Sequence, residues 1–430
     1  MPFHLKQTPV GVRDYLPDEL LHRREIEKGV ADLFGLFGYS EVETPSFEFA
    51  RVLAASTGYD LDEYTYQFTD RDGEALALRP EMTTPIARLV ASRMSGSLGP
   101  LRLFYVTNVF RYADPSERHR REFRQAGVEL IGSASPMADA EVIALAIQAL
   151  KERGIPGCEV HIGHIGFVEA LMEGLALSRD VREKIRQLLL SQDYVMYRRV
   201  LSDSVRAEAR VPLLALLELS GGSEVLDRAS DLLAQAGREC EDLEHLRKVL
   251  CCLKGYGVEE NCLLDLALVK NFRYYTGIVF EGYARGVGYS LFGGGRYDGL
   301  LSQFGRDTPS TGFAMGIERV QSALVASGSR EDRDYRRACV CQASFEESVT
   351  EVALREISEL RRLGVSIRVS MDGQEDGWGK DQVGVHLSYI EGLDPLRPKV
   401  VLRVEGKWAA LEQTVRLVES VVGESRLEVR

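Results

Sequence analysis

The chain has 430 residues, 45% hydrophobic and 27% charged, a composition that suits a globular protein with room for two or three domains. A net charge of −12 lowers the expectation of a nucleic-acid-binding face but leaves room for a local basic patch. No apolar run is long enough to span a bilayer and 1–11 lacks a signal peptide's apolar centre, so no membrane partner and a cytoplasmic location are expected.

The seven cysteines are scattered without any C-x-x-C spacing, which argues against a zinc site and a disulfide framework; buried free thiols are expected, with no metal and no cofactor. After a turn-rich loop at 7–17, the spacing of Leu20, Ile26, Val30, Leu33 and Phe37 predicts a helix over 18–37, stopped at Gly38. GYSEVETP then reads as a short strand, 39–44, ending at Pro45. A hairpin is expected from 64–69 and 75–78, turning at Asp72-Gly73 and running into LRPEMTTPIAR. Glu81 sits at the strand-to-helix junction of that segment, where a carboxylate either faces a cavity or caps the helix.

Two strands follow, 101–111 and 122–131, joined by a loop of mixed charge. By the period of two, Gln125, Gly127 and Glu129 share one face, and polar groups on such a strand need a partner, a ligand included. A helix over 139–153 precedes a strand at 159–162. That strand runs into His161-Ile162-Gly163-His164, formally the HIGH tetrapeptide of class I synthetases, but no lysine-rich KMSKS loop follows and we read it as a loop detail. The stretch 167–235 is helical and interrupts the sheet, which resumes at 263–300 with the run LVKNFRYYTGIVFEGYARGVGYSLFGGGRYDGL. There the alternation through 275–280 predicts a half-buried strand, Gly293–Gly295 allow close backbone approach, and Tyr274, Tyr275, Arg296 and Asp298 are expected to offer polar tips at one floor. A strand and helix over 311–324 close this part, with Arg319 at the helix start.

Residues 326–337 read as a linker, and 338–430 as a small α/β domain beginning with a βαβ unit (strand 338–342, helix 346–363, strand 365–370). Acids outnumber bases in that domain.

Taken together, GYSEVETP, VFRY with EFRQAGVELIG, GFAMGIERV, YYTGIVFE and GGGRYDGL resemble the three class II motifs and the two signatures of the histidyl-tRNA synthetase family, in order, over 7–325. The resemblance implies an α+β fold: an antiparallel sheet with flanking helices, a helical insertion at about 167–255, and a C-terminal domain similar to an anticodon-binding one. It also implies a homodimer formed through the first motif. By carry-over, Glu81 and Thr83 would hold a histidine amino group, and Gln125, Glu129, Tyr274 and Tyr275 would surround the rest. Arg111 would meet an α-phosphate and Arg319 a γ-phosphate.

The departures redirect the reading. Where the synthetases carry an arginine and, three positions on, an aspartate before the paired tyrosines, this chain has Lys270-Asn271-Phe272-Arg273. Lys270 loses the bidentate fork, and such a position is worth several kcal/mol at a transition state. Ala113, Asp114 and Ser116 replace second-motif residues that meet adenine and the tRNA acceptor end. Arg111, Lys270 and Arg319 would then be a vestigial nucleotide site. In sum the chain resembles the regulatory subunits of ATP phosphoribosyltransferase, synthetase paralogues that work with a short catalytic subunit. The expectation is a non-catalytic protein of histidine biosynthesis, with histidine as effector and no tRNA. The alternatives are an active histidyl-tRNA synthetase and a paralogue that joins an amino acid to something else.

Overall fold

A computed structural model describes residues 6–57, 65–94, 96, 100–112, 120–239, 241–270, 274–328, 340–345, 350–363, 365, 367–369, 384–390, 399–405, 412–423 and 427–429. The chain divides into two units, Met1–Arg330 and Glu331–Arg430. Most of the segment 326–337, together with Ala113, Asp114, Ser116 and Asn271–Arg273, lies outside the described residues.

In the first unit, α1 (Pro17–Leu36) opens with proline at its first position, and the Glu19 carboxylate accepts the Leu16 N–H at 3.2 Å. It ends at Gly38, whose φ of +81° suits glycine. β1 (Ser40–Glu41) follows, shorter than the six-residue strand expected, with one more bond beyond it from the Val42 N–H to the Phe104 carbonyl at 2.9 Å. β2 (Phe47–Phe49), α2 (Ala50–Thr57), β3 (Gln67–Thr69) and β4 (Ala75–Leu78) form a small side layer, with Gly73 at φ +85° in the β3–β4 turn. Then come α3 (Thr83–Arg93), β5 (Leu101–Phe110), β6 (Glu122–Ile131), α4 (Pro136–Glu152) and β7 (Glu159–His164).

The helical insertion consists of α5 (Ile165–Gly174), α6 (Arg179–Leu190), α7 (Tyr194–Ser204), α8 (Ala207–Leu216), α9 (Val225–Gln235) and α10 (Glu241–Gly255). It also holds a two-residue strand, β8 (Ser220–Gly221), inside the stretch expected to be helical. β9 (Cys262–Asp265), β10 (Ile278–Tyr283), β11 (Phe292–Arg296), β12 (Ser310–Gly316) and α11 (Ile317–Ala326) complete the unit. The strand expected from 275 begins at Ile278, leaving both tyrosines in the approach loop.

Among the described residues the main sheet has nine strands in the order β1-β5-β6-β12-β11-β10-β7-β9-β8. Its centre is antiparallel, with parallel pairs only at β1–β5 and β7–β9. One face buries Phe104, Val128, Phe280 and Phe313 against α1, α4 and α11, including the edge-on pairs of Phe34 with Phe104 and Phe313 at 5.7 and 5.8 Å. The other face carries a smaller apolar cluster, with Leu103, Tyr105, Tyr274 and Tyr297 packed under Ile86 and Val90 of α3. This alternation is the period of two at work, and it leaves a strip of the second face for polar side chains.

The second unit holds a five-stranded sheet, β14-β13-β15-β16-β17 (Ile367–Val369, Val340–Phe345, Gly384–Ile390, Lys399–Glu405, Leu427–Val429). Its helices Thr350–Arg362 and Glu412–Val422 bury Ala353, Ile357, Leu360, Val415 and Val418. The thiols differ from expectation: of the described cysteines Cys158 is buried, whereas Cys251 is exposed. No helix among the described residues is long and apolar enough to cross a membrane.

Candidate functional site

The polar strip is built on a floor of small residues. Register places Gln125 opposite Gly316, Gly127 opposite Ala314, and Glu129 opposite Gly312. It continues from Ala314 to Gly293 and Glu281, and from Gly312 to Gly295 and Val279. A side chain on several of these glycines would collide with what lies above. A Cβ at Gly312 would fall 2.0 Å from a Glu129 oxygen, one at Gly295 2.9 Å from the Tyr275 ring, and one at Gly293 2.6 Å from the Lys270 Nζ. Glycine is there so that Glu129, Tyr275 and Lys270 lie down on the sheet.

Glu129 is 2% exposed. Thr83 Oγ1 donates to one carboxylate oxygen at 2.8 Å and the Tyr297 hydroxyl donates to the other. Burial, reinforced by the charge of nearby Glu81, pushes the Glu129 carboxyl up to about 8 against these two bonds. Glu81 is also buried and accepts the Thr84 N–H at 3.1 and 3.2 Å, so it caps α3, and it stands close enough to Glu129 to act on it. Burial raises its carboxyl too, opposed by the Thr84 and Thr83 bonds and by Arg111.

Gln125 is 7% exposed, and its Oε1 is buried without a hydrogen-bond partner among the described residues. An orphaned acceptor beside a mostly neutral carboxyl leaves the strip ready for a ligand that brings donors. Phenols enclose it: Tyr274 and Tyr275 have ring centroids 4.7 Å apart, Tyr274 meets Tyr297 at 5.7 Å, and Tyr105 lies across Gly127. Burial raises the hydroxyls of Tyr105, Tyr274, Tyr275 and Tyr297, so they stay protonated.

The structure gathers Glu81, Thr83, Gln125, Glu129, Tyr274 and Tyr275 about this strip, with Arg111 at its rim. Arg111 donates through Nε to the Pro80 carbonyl at 2.8 Å and lies 5.2 Å from the Phe123 ring. Lys270 and Arg319 form a second group, two strands away. Lys270 donates to Glu281, whose other oxygen takes the Tyr283 hydroxyl. Burial lowers the Lys270 ammonium and Arg319 lowers it further, while Glu281 supports its charge. Arg319 donates to the Ser290 carbonyl at 2.6 Å and lies over the Tyr289 ring.

Two residues of this site were missed in the sequence, Tyr297 and Glu281. Tyr297 follows the glycine strand directly, and Glu281 faces Gly293, so strand parity would have found the latter. Arg296 corrects the expectation in the other direction. It shares parity with Phe292 and Gly294 and turns to the helical face, where it donates to Asp139 at 2.9 and 3.1 Å. Asp298 goes with it, bonded to Arg296 and to the Ser310 N–H. The HIGH tetrapeptide lies within strand β7 and not in a loop as expected; His164 is buried, with burial lowering it to about 4, and His161 is drawn up by Asp265 and Glu159.

Comparison with known proteins adds to this geometry. The model of the histidyl-tRNA synthetase family matches residues 11–320. A protein of Desulforamulus reducens named ATP phosphoribosyltransferase regulatory subunit is 41% identical over 84% of this chain and 89% of its own. One of the same name from Moorella thermoacetica is 42% identical over 75% and 82%. The chain belongs to the ATP phosphoribosyltransferase regulatory subunit family, within the histidyl-tRNA synthetase fold.

Among solved structures, a Bacillus halodurans protein described as an ATP phosphoribosyltransferase regulatory subunit/histidyl-tRNA synthetase matches with a TM-score of 0.77 and 34% identity, over 87% of this chain and 95% of that one. A histidyl-tRNA synthetase from Nostoc sp. matches with the same TM-score at 20% identity, covering 96% and 99%, and speaks for the fold alone. The regulatory-subunit family thus keeps the class II α+β architecture of a synthetase.

Proposed function

We propose that this chain is the non-catalytic regulatory subunit of an ATP phosphoribosyltransferase, required for the first step of histidine biosynthesis. In this reading it assembles with a short catalytic subunit and senses histidine in the strip between Glu81 and Gln125. The observation that carries it is Gln125 Oε1, a buried acceptor without a partner among the described residues, on the same strand face as Glu129. Histidine brings donors to both: an imidazole N–H to the Glu129 carboxylate and an ammonium N–H to Gln125 Oε1, with the rest of the ammonium group reaching Glu81 and Thr83. Feedback then follows from linkage, since histidine that prefers one quaternary state shifts the partner's activity through about 1–3 kcal/mol of coupling.

The test is reconstitution with a short catalytic subunit. The mixture should gain phosphoribosyltransferase activity, histidine should inhibit it, and Gln125→Ala should weaken that inhibition. Inhibition that is unchanged in Gln125→Ala moves the effector elsewhere. A second reading, activation of histidine by this chain itself, is favoured by the synthetase family model and by the positive charge at Lys270. Histidine-dependent exchange of pyrophosphate into ATP by the isolated chain would establish it and end the first reading.

A further inference from the structure

On the opposite face of the sheet lies a cavity of about 430 Å³ that the amino-acid strip does not touch. Its walls come from the N-terminal loop (Arg13, Tyr15), from α1 (Arg23), from the β5–β6 hairpin (Arg120, Arg124) and from the start of α11 (Glu318). Arg124 shares the strand parity of Ala126 and Val128, which sit in the helical-face core, and so points away from Gln125 and Glu129.

The hydrogen bonds in this cavity are unevenly shared: its walls carry four arginines against two carboxylates, Glu122 and Glu318. Arg13 is paired to Glu19 at 3.0 Å and Arg124 to Glu27 at 2.8 Å. Glu318 is already taken by the Tyr15 hydroxyl at 3.0 Å and by the Arg124 backbone N–H at 3.0 and 3.2 Å. Glu122, also in the wall, receives the Asn108 amide at 2.7 Å. That leaves Arg23 and Arg120. The Arg23 side chain is 14% exposed and stands 3.4 Å from Glu27 and 4.0 Å from Glu318, yet its buried Nε makes no hydrogen bond. Arg120 donates to the Tyr15 hydroxyl at 2.6 Å, a neutral acceptor, with Glu318 no nearer than 3.9 Å.

Two guanidinium groups are thus held over one cavity, Arg23 also stacked on the Tyr15 ring at 4.2 Å, with no carboxylate hydrogen-bonded to either among the described residues. A single carboxylate would balance one of them. A phosphate carries about −1.5 to −2 at neutral pH and accepts from two planar forks at once. We propose that this cavity binds a small phosphate-bearing anion, held by Arg23 and Arg120. The volume falls within the ~300–1,000 Å³ of small-molecule sites and exceeds what a bare phosphate fills, leaving space for the group that carries it.

The experiment is calorimetric titration of the full chain with inorganic pyrophosphate and, separately, ribose 5-phosphate. Saturable one-site binding is expected with at least one of them, weakened tenfold or more in Arg120→Gln and weakened by added salt. Arg120 is the better variant because its side chain is 37% exposed, and an unchanged melting temperature checks that the fold survives. Absence of saturable binding at millimolar ligand overturns the proposal. So does binding that survives in Arg120→Gln and is lost in Arg319→Gln, which places the anion on the other face of the sheet.

Discussion

Glu129→Gln separates the charge of the proposed histidine site from its shape. With its carboxyl pushed up to about 8, Glu129 is roughly nine-tenths protonated at pH 7 in the empty strip. An imidazole N–H delivered to it favours the ionised form, so histidine binding should release close to one proton at that pH. A hydrogen bond to a charged group is worth about 1.5–3 kcal/mol, and ionising the carboxyl one unit below its pKa costs about 1.4 kcal/mol. At pH 8 the cost nearly vanishes, so the substitution should weaken histidine by about ten- to a hundredfold; at pH 7 the loss should be about an order of magnitude smaller.

The assay is calorimetry in two buffers of different ionisation enthalpy, between pH 7 and 8 where free imidazole is mostly neutral. The unliganded protein offers a sign check. A carboxyl raised in the folded state stabilises fully below its unfolded pKa, and that contribution, at most about 5 kcal/mol here, is lost as pH climbs through about 8. Glu129→Gln should flatten that fall. Equal affinity loss at both pH values, or binding without proton release, would refute the reasoning.

Three further perturbations probe the same architecture. Tyr297→Phe removes a donor that favours the Glu129 carboxylate, so the carboxyl should rise further and stability should fall by about 1–3 kcal/mol, read by denaturant unfolding. Gly312→Ala puts a Cβ 2.0 Å from a Glu129 oxygen and 2.5 Å from the Val128 carbonyl, whose backbone cannot yield; a loss of about 1–3 kcal/mol and of histidine binding is expected, seen in melting and titration together. Asp139→Asn leaves buried Arg296 facing a neutral partner and loosens His245, which meets Asp139 at 2.8 Å; about 3–5 kcal/mol should be lost, with histidine affinity per folded molecule retained.

Much of the site was legible because it is written in strand parity. Gln125, Gly127 and Glu129 share a face in the sequence pattern and in the structure, since a half-buried strand leaves them no other arrangement. The helix boundaries of α1 were readable for a comparable reason, with Pro17 and Gly38 acting locally on the backbone. What parity does not encode is which loop residue reaches over the sheet. Tyr297 bonds Glu129 across 168 positions of sequence, and Lys270 finds Glu281 only because Gly293 lets it lie flat. The strand β8 escaped notice because two residues carry no periodicity, and Arg296 was placed on the wrong face because its neighbours in sequence, not its parity partners, guided the reading.

The two ends of the strip differ in what they have left to offer a ligand. At the Glu129 end, an orphaned amide oxygen and a carboxyl that is mostly neutral both gain from a donor-rich molecule, and the glycine floor costs that molecule no steric penalty. At the Lys270 end the charge is already spent. Glu281 holds the ammonium, Tyr283 holds Glu281, and Arg319 is engaged by the Ser290 carbonyl and the Tyr289 ring. A phosphate arriving there meets a carboxylate among the cations, and to pair with Lys270 it must first separate a half-buried ion pair, which costs several kcal/mol before anything is gained. Under the proposed function, a site so divided would retain an amino acid without aligning a nucleotide against it. In a synthetase that combination would be a defect; in the proposed regulatory subunit, whose partner would perform the chemistry, it would let occupancy of the strip report histidine concentration without consuming ATP.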